Sequence, residues 1–179
     1  MVVVVVTPSA RSRARFSTRE SPRPVAPPLS EDAYTVADGV VVLGGTSNRI
    51  LSAGAVQVIS GNGGNGITLA GSSSGTFVAG NRIGTDLTGT ADLGNGSDGV
   101  EVSGSAGNHV GGGNLISGNT ANGVLLINNA TSNVVRANFI GTNDAGMGAV
   151  PNSGNGVIIW IGRHPRSRNN GREGAVQAC

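Results

Sequence analysis

The chain has 179 residues and a formal net charge of +2, with 37% hydrophobic, 12% charged and 3% aromatic residues and 31 glycines. That length fits one domain; the few aromatics exclude an aromatic-rich core, and the sparse charge excludes a surface of solvated helices. A single cysteine, Cys179, rules out an internal disulfide and a cysteine-rich metal site.

Three zones follow one another. Residues 1–38 contain no glycine, five of the seven prolines, and Arg11, Arg13, Arg15, Arg19 and Arg23. This Pro/Arg-rich segment is expected to be disordered. Its opening apolar run, Met1 to Val6, is too short to span a bilayer. It also lacks the basic-then-apolar order of a secretory signal, so no signal peptide is visible in the chain. Residues 39–162 hold 29 glycines, and set Arg49, Arg82 and Arg136 against Asp86, Asp92, Asp98, Glu101 and Asp144. Residues 163–179, with Arg163, Arg166, Arg168 and Arg172, form a second tail, also expected to be disordered or to be an end created by truncation. The basic excess thus belongs to the tails. They lack lysine, stacking aromatics and a fold, so no nucleic acid partner is expected.

The middle zone is a repeat. Asn/Asp-Gly-apolar-x-apolar begins at Asp38, Asn65, Asp98, Asn122 and Asn155, with spacings of 27, 33, 24 and 33. Asn/Gln-x-Ile-Gly/Ser begins at Gln57, Asn81, Asn114 and Asn138, spaced 24, 33 and 24. A third, weaker motif ends at Ile50, Val78, Val110 and Val135. Periods of this size mark a solenoid. Asn or Asp before Gly tolerates positive φ and makes a tight corner. The apolar residues two apart share one face of a short strand, and Val and Ile suit strands. Helices are excluded by Gly and Asn in every window of helical length.

The expected fold is therefore all-β: a right-handed parallel β-helix of about five coils, three short strands per coil, spanning 39–162. The hand follows the crossover preference of parallel strands. Val40, Val42, Ile67, Leu69, Val100, Val102, Val124, Leu126, Val157 and Ile159 should line one wall of the core. Val41, Thr68, Glu101, Leu125 and Ile158 should form the outward column beside it. Asn62 with Asn119, and Asn81 with Asn138, should stack at corners as hydrogen-bonded ladders. The 33-residue cycles carry about nine extra residues, in 84–97 and 141–154, which read as loops at one corner, two coils apart.

Val58-Ile59-Ser60-Gly61-Asn62, Leu115-Ile116-Ser117-Gly118-Asn119, Arg82-Ile83-Gly84-Thr85-Asp86 and Phe139-Ile140-Gly141-Thr142-Asn143 resemble bacterial right-handed parallel β-helix repeat proteins of the pectin-lyase-like superfamily. The resemblance implies an extracellular or cell-surface location and contact with carbohydrate. It carries over no catalytic residue, because these phrases build coils. The function expected is a non-enzymatic structural, adhesive or polysaccharide-contacting module. The alternative is a polysaccharide lyase or glycoside hydrolase acting on acidic polysaccharide. Polysaccharide or another surface protein is the expected partner, with end-to-end self-association open to uncapped coils and no membrane span.

Candidate chemistry is confined to a few side chains. Asp86, Asp92 and Asp98 flank or occupy the first loop and are the candidate ligands for Ca²⁺, the one cofactor considered. Asp92 and Glu101 are the candidate acid and base, with Arg82 the basic residue nearest the acidic loop. An offset of 57 residues converts Asp86 to Asn143, Asp92 to Ala149, Asp98 to Asn155 and Glu101 to Ile158. Turn chemistry therefore suffices for Asp86 and Asp98, while Asp92 and Glu101 are peculiar to the first copy. Gly61–Gly66 fits G-x-G-x-x-G, but no helix pattern follows it. Gly71-Ser72-Ser73-Ser74-Gly75 fits G-x-S-x-G, but lacks the strand-to-helix turn and the histidine partner.

Overall fold

A computed structural model of the protein describes residues 4–6, 37–52, 56–160 and 175–178. Its described elements are all strands. β1 (Val4–Val6) precedes the repeat. Coil 1 runs through β2 (Val40–Leu43), β3 (Arg49–Leu51) and β4 (Gln57–Ile59). Coil 2 follows with β5 (Ile67–Ala70), β6 (Phe77–Ala79) and β7 (Asn81–Ile83). Coil 3 has β8 (Val100–Ser103), β9 (His109–Gly111) and β10 (Leu115–Ile116). Coil 4 has β11 (Val124–Ile127), β12 (Val134–Arg136) and β13 (Phe139–Ile140). The fifth coil contributes β14 (Val157–Trp160), and β15 (Ala175–Ala178) comes last.

Corresponding strands of successive coils pair in parallel, giving one sheet per wall of a β-helix. The first wall is β2-β5-β8-β11-β14, the second β3-β6-β9-β12, and the third β4-β7-β10-β13. The repeat motifs set the register. Val40, Ile67, Val100, Val124 and Val157 align on the first wall, and Ile50, Val78, Val110 and Val135 on the second. At the two edges of the first wall the direction reverses: β1 lies antiparallel to β2, and β15 antiparallel to β14. The disorder expected for 1–38 and 163–179 otherwise concerns residues outside those described.

The core is a stack of inward Val, Ile and Leu from the three walls. Burying each such side chain stabilises by about 1.5–3 kcal/mol. Eight of the ten expected first-wall residues are buried. The two from the last coil depart from expectation: Val157 is half-buried and Ile159 is 37% exposed. Ile158, on the outward column, is 8% exposed.

Four polar columns run along the corners. Each buried carboxamide satisfies its neighbour, as burial without water requires. In one, Asn62, Asn95 and Asn119 each donate from Nδ2 to Oδ1 of the next member, ending at Asn152, every link 2.8 Å. In the second, Asn81 donates to Asn114 at 3.1 Å and Asn114 to Asn138 at 2.9 Å. The third runs Asn48, Thr76, Asn108, Asn133. The fourth is the Asn/Asp-Gly motif itself: Asp38, Asn65, Asp98, Asn122 and Asn155. Here the direction is opposite. The backbone N–H of each member donates to the side-chain oxygen of the member below, at 2.7–2.9 Å. Only an acceptor is needed, so Asp and Asn interchange in this column alone.

Candidate functional site

The extra residues of the longer cycles form two hairpin loops, 84–94 and 141–151. Thr85 bridges Asp92 antiparallel in the first, and Thr142 bridges Ala149 in the second. Asn95 and Asn152 are already back in the corner column, so the loops are shorter than the sequence spacing suggests. They also do not simply protrude. Gly89 of the first loop lies against Leu115 of coil 3, an outward side chain left only 2% exposed. The Asp144 N–H of the second loop donates to Gly89 O at 3.0 Å.

Each candidate side chain has a definite place. Asp86 organises the first loop. Its Oδ2 accepts the Thr88 hydroxyl at 2.6 Å, and its Oδ1 accepts the Thr90 and Ala91 N–H groups at 2.9 and 3.0 Å. The Thr88 hydroxyl foremost, then these backbone donors, hold its carboxyl well below the usual carboxylate range. Asn143 does the same work in the second loop, accepting the Met147 and Gly148 N–H groups, both at 3.1 Å. Asp92 Oδ1 accepts the Gly94 N–H at 2.7 Å and overhangs Gly118. Asp98 is 4% exposed and sits within the fourth polar column, accepting the Asn122 N–H at 2.8 Å and Asn122 Nδ2 at 2.7 Å. Glu101 stands on the outward column of the first wall, where Asn65 Nδ2 donates to its Oε2 at 2.9 Å. Arg82 stands on the third wall, paired with Asp144 at 2.8 Å.

The candidates are thus distributed over a loop, a corner, two walls and an ion pair. Among the described residues, no three carboxylate, imidazole or thiol groups stand together as a metal would need. Nor, among them, is any helix long and apolar enough to cross a membrane.

A different surface draws polar and aromatic groups together. On the second wall, Arg49, Phe77, His109 and Val134 share one register position, immediately before the inward column. Phe77 and His109 stack with ring centroids 4.3 Å apart and planes 5° from parallel. Arg136 Nε donates to His109 Nε2 at 3.4 Å. Phe77, Arg49 and Arg136 are all exposed. No Asp or Glu occurs in β3, β6, β9 or β12. In the sequence this wall is marked only one residue ahead of Ile50, Val78, Val110 and Val135, where the residue types differ from coil to coil.

Comparisons with protein-family models, curated proteins and solved structures gave no match to the chain.

Proposed function

We propose that the chain is a non-enzymatic β-helix module of the pectin-lyase-like kind, placed outside the cell, that contacts anionic polysaccharide through its second wall. One observation carries this: Arg49, Phe77 and His109 are aligned in register on the second wall, Arg136 reaches His109 from two residues further along it, and its strands bear no carboxylate. Guanidinium groups recognise carboxylate and sulfate by paired hydrogen bonds. An aromatic side chain adds apolar area against the ring faces of sugars. A rigid wall contributes by costing little ordering entropy on binding.

The absence of turnover is favoured by how the reactive groups are used. Asp86 and Asp98 are occupied in turn and column hydrogen bonds, and Arg82 is held by Asp144. The module is expected to be retarded on immobilised polygalacturonate and not on a neutral glucan, with the retention weakened by salt. The double variant Arg49→Ala/Arg136→Ala should abolish the retardation without changing thermal stability. Retention unchanged in that variant sinks the assignment of the second wall. Release of unsaturated uronates with Ca²⁺, lost in Asp92→Ala or Glu101→Ala, would establish the lyase alternative instead.

A further inference from the structure

We propose that His109 is a proton-operated gate on the second wall: acid releases Arg136 from it and turns the pair into a cradle for a carboxylate of the ligand. The proposal rests on the reading of that wall as an anion-binding surface and adds its regulation.

The imidazole is fixed on three sides. Phe77, one coil below, stacks on its face with centroids 4.3 Å apart and planes 5° from parallel. Gly111, two residues on, leaves room for its edge, since a Cβ there would lie 2.8 Å from His109 Nε2. Arg136, from the coil above, donates its Nε–H to the same nitrogen at 3.4 Å. The ring is half-buried, whereas Phe77 and Arg136 are exposed, so the pair lies within reach of solvent.

The pairing holds only for a neutral imidazole. Arginine stays charged and offers no acceptor, so it needs an unprotonated nitrogen opposite it. Once His109 takes up a proton, both ring nitrogens are donors. Two N–H groups, each carrying positive charge, then face each other and the contact becomes repulsive. Arg136 is exposed on a long stem and turns outward, while the Phe77 stack keeps the imidazole in place. The two donors then converge on a single acceptor group, and a carboxylate supplies an oxygen to each.

The wall has no carboxylate of its own to fill that place. Segments 40–52, 70–81, 102–117 and 124–138, which build the second wall and the corners flanking it, contain no Asp or Glu. Among the described residues, the charged groups on the strands packed against His109 are Arg136 from β12 and, one coil beyond Phe77, Arg49 from β3; β6 contributes none. Imidazole side chains change charge roughly between pH 5 and 8. Protonation therefore adds a third cation to Arg49 and Arg136, and only an anion from outside compensates it. By linkage, a ligand that prefers the protonated form raises the proton affinity of His109 by the same factor.

The test is retardation of the full chain on immobilised polygalacturonate at about pH 8 and about pH 5, a range in which such carboxylates stay largely ionised. Affinity should rise about fivefold or more on acidification. His109→Gln should hold the weak level at both pH values. His109→Arg, planar and permanently charged, should hold the strong level at both. His164, the other histidine of the chain, is common to all three proteins. In the unaltered protein, the His109 imidazole NMR signals should titrate at higher pH with galacturonate oligomers present than without them. Retention that is equal at the two pH values, or a rise that His109→Gln keeps, overturns the gate and leaves the second wall as a binding surface. No retention at either pH overturns the reading of the wall and the gate with it.

Discussion

Gln57 lies in register with Asn81, yet Asn81 Oδ1, in a side chain 1% exposed, has no hydrogen-bond partner. Higher in the same column, Asn114 and Asn138 each receive an Nδ2 from the asparagine of the coil below. Glutamine is one methylene longer and is exposed here, so its carboxamide does not reach the equivalent point. Gln57→Asn should complete the column and stabilise the protein by about 0.5–1.5 kcal/mol. Urea denaturation reads this directly; an unchanged or lowered midpoint would contradict it.

The opposite directions of the columns predict opposite tolerances to a carboxylate. Asn119 Nδ2 donates to Asn152 Oδ1, Ile83 O and Ser117 O. Asn119→Asp would turn a buried donor into a charged acceptor facing acceptors, at a cost of about 3–5 kcal/mol. Asp98→Asn keeps the one oxygen that its column uses and should cost less than about 1 kcal/mol. Comparable losses in the two variants would refute the distinction between columns.

Glycine is required for different reasons at two turns. Gly84 has φ +92°, and an added Cβ would strike Ser117 O and Asn119 Oδ1. Gly107 has φ +68° but open space around it. Gly107→Ala should therefore cost only the left-handed backbone penalty, about 1–2 kcal/mol. Gly84→Ala adds a collision with backbone and should cost about 3 kcal/mol or more. Thermal denaturation of the two variants side by side would separate conformational cost from steric cost.

The turn held by Asp86 carries a pH dependence that the equivalent turn held by Asn143 lacks. The Asp86 carboxyl titrates below its ordinary range because it accepts the Thr88 hydroxyl and two backbone N–H groups. A lowered folded-state value means the ionised form stabilises the loop. That contribution is complete above the unfolded-state value of about 3.9 and is lost as pH falls through the lower folded-state value. Side-chain carboxyl NMR should show Asp86 still ionised below the ordinary carboxylate range, and Thr88→Ala should move its titration upward. Asn143, uncharged, contributes no such dependence to the turn it holds with the Met147 and Gly148 N–H groups.

The fold was readable because repetition is a long-range signal carried by local residues. Val40, Ile67, Val100 and Val124 reveal their register by spacing alone, and Asp38 through Asn155 mark the corners by the tight turn that precedes each strand. What stayed hidden is instructive. Asn95 and Asn152 follow loops of nine or so extra residues, so the spacing that exposes Asn62 and Asn119 skips them. The column through Asn48, Asn108 and Asn133 was missed because Thr76 interrupts its identity while keeping an oxygen in place. The Phe77–His109 stack needs two different residues to be seen as equivalent, which no motif search does. The carboxylates showed the reverse: Asp86 and Asp98 look chemical in sequence because acidity is conspicuous, whereas the groups that occupy them are the Thr88 hydroxyl, main-chain amides and Asn122 of the next coil.

Loop 84–94 belongs to coil 2 and loop 141–151 to coil 4, yet they meet directly through Arg82, Gly89 and Asp144. The contact passes over Leu115 and skips coil 3 altogether. A solenoid coupled only between neighbours frays one turn at a time from either end. This strap adds a next-nearest link, so the middle turns cannot peel off singly. Under a steady pull on the chain, coils 2 to 4 should yield as one block, with a single large extension where a plain stack of coils would show a staircase.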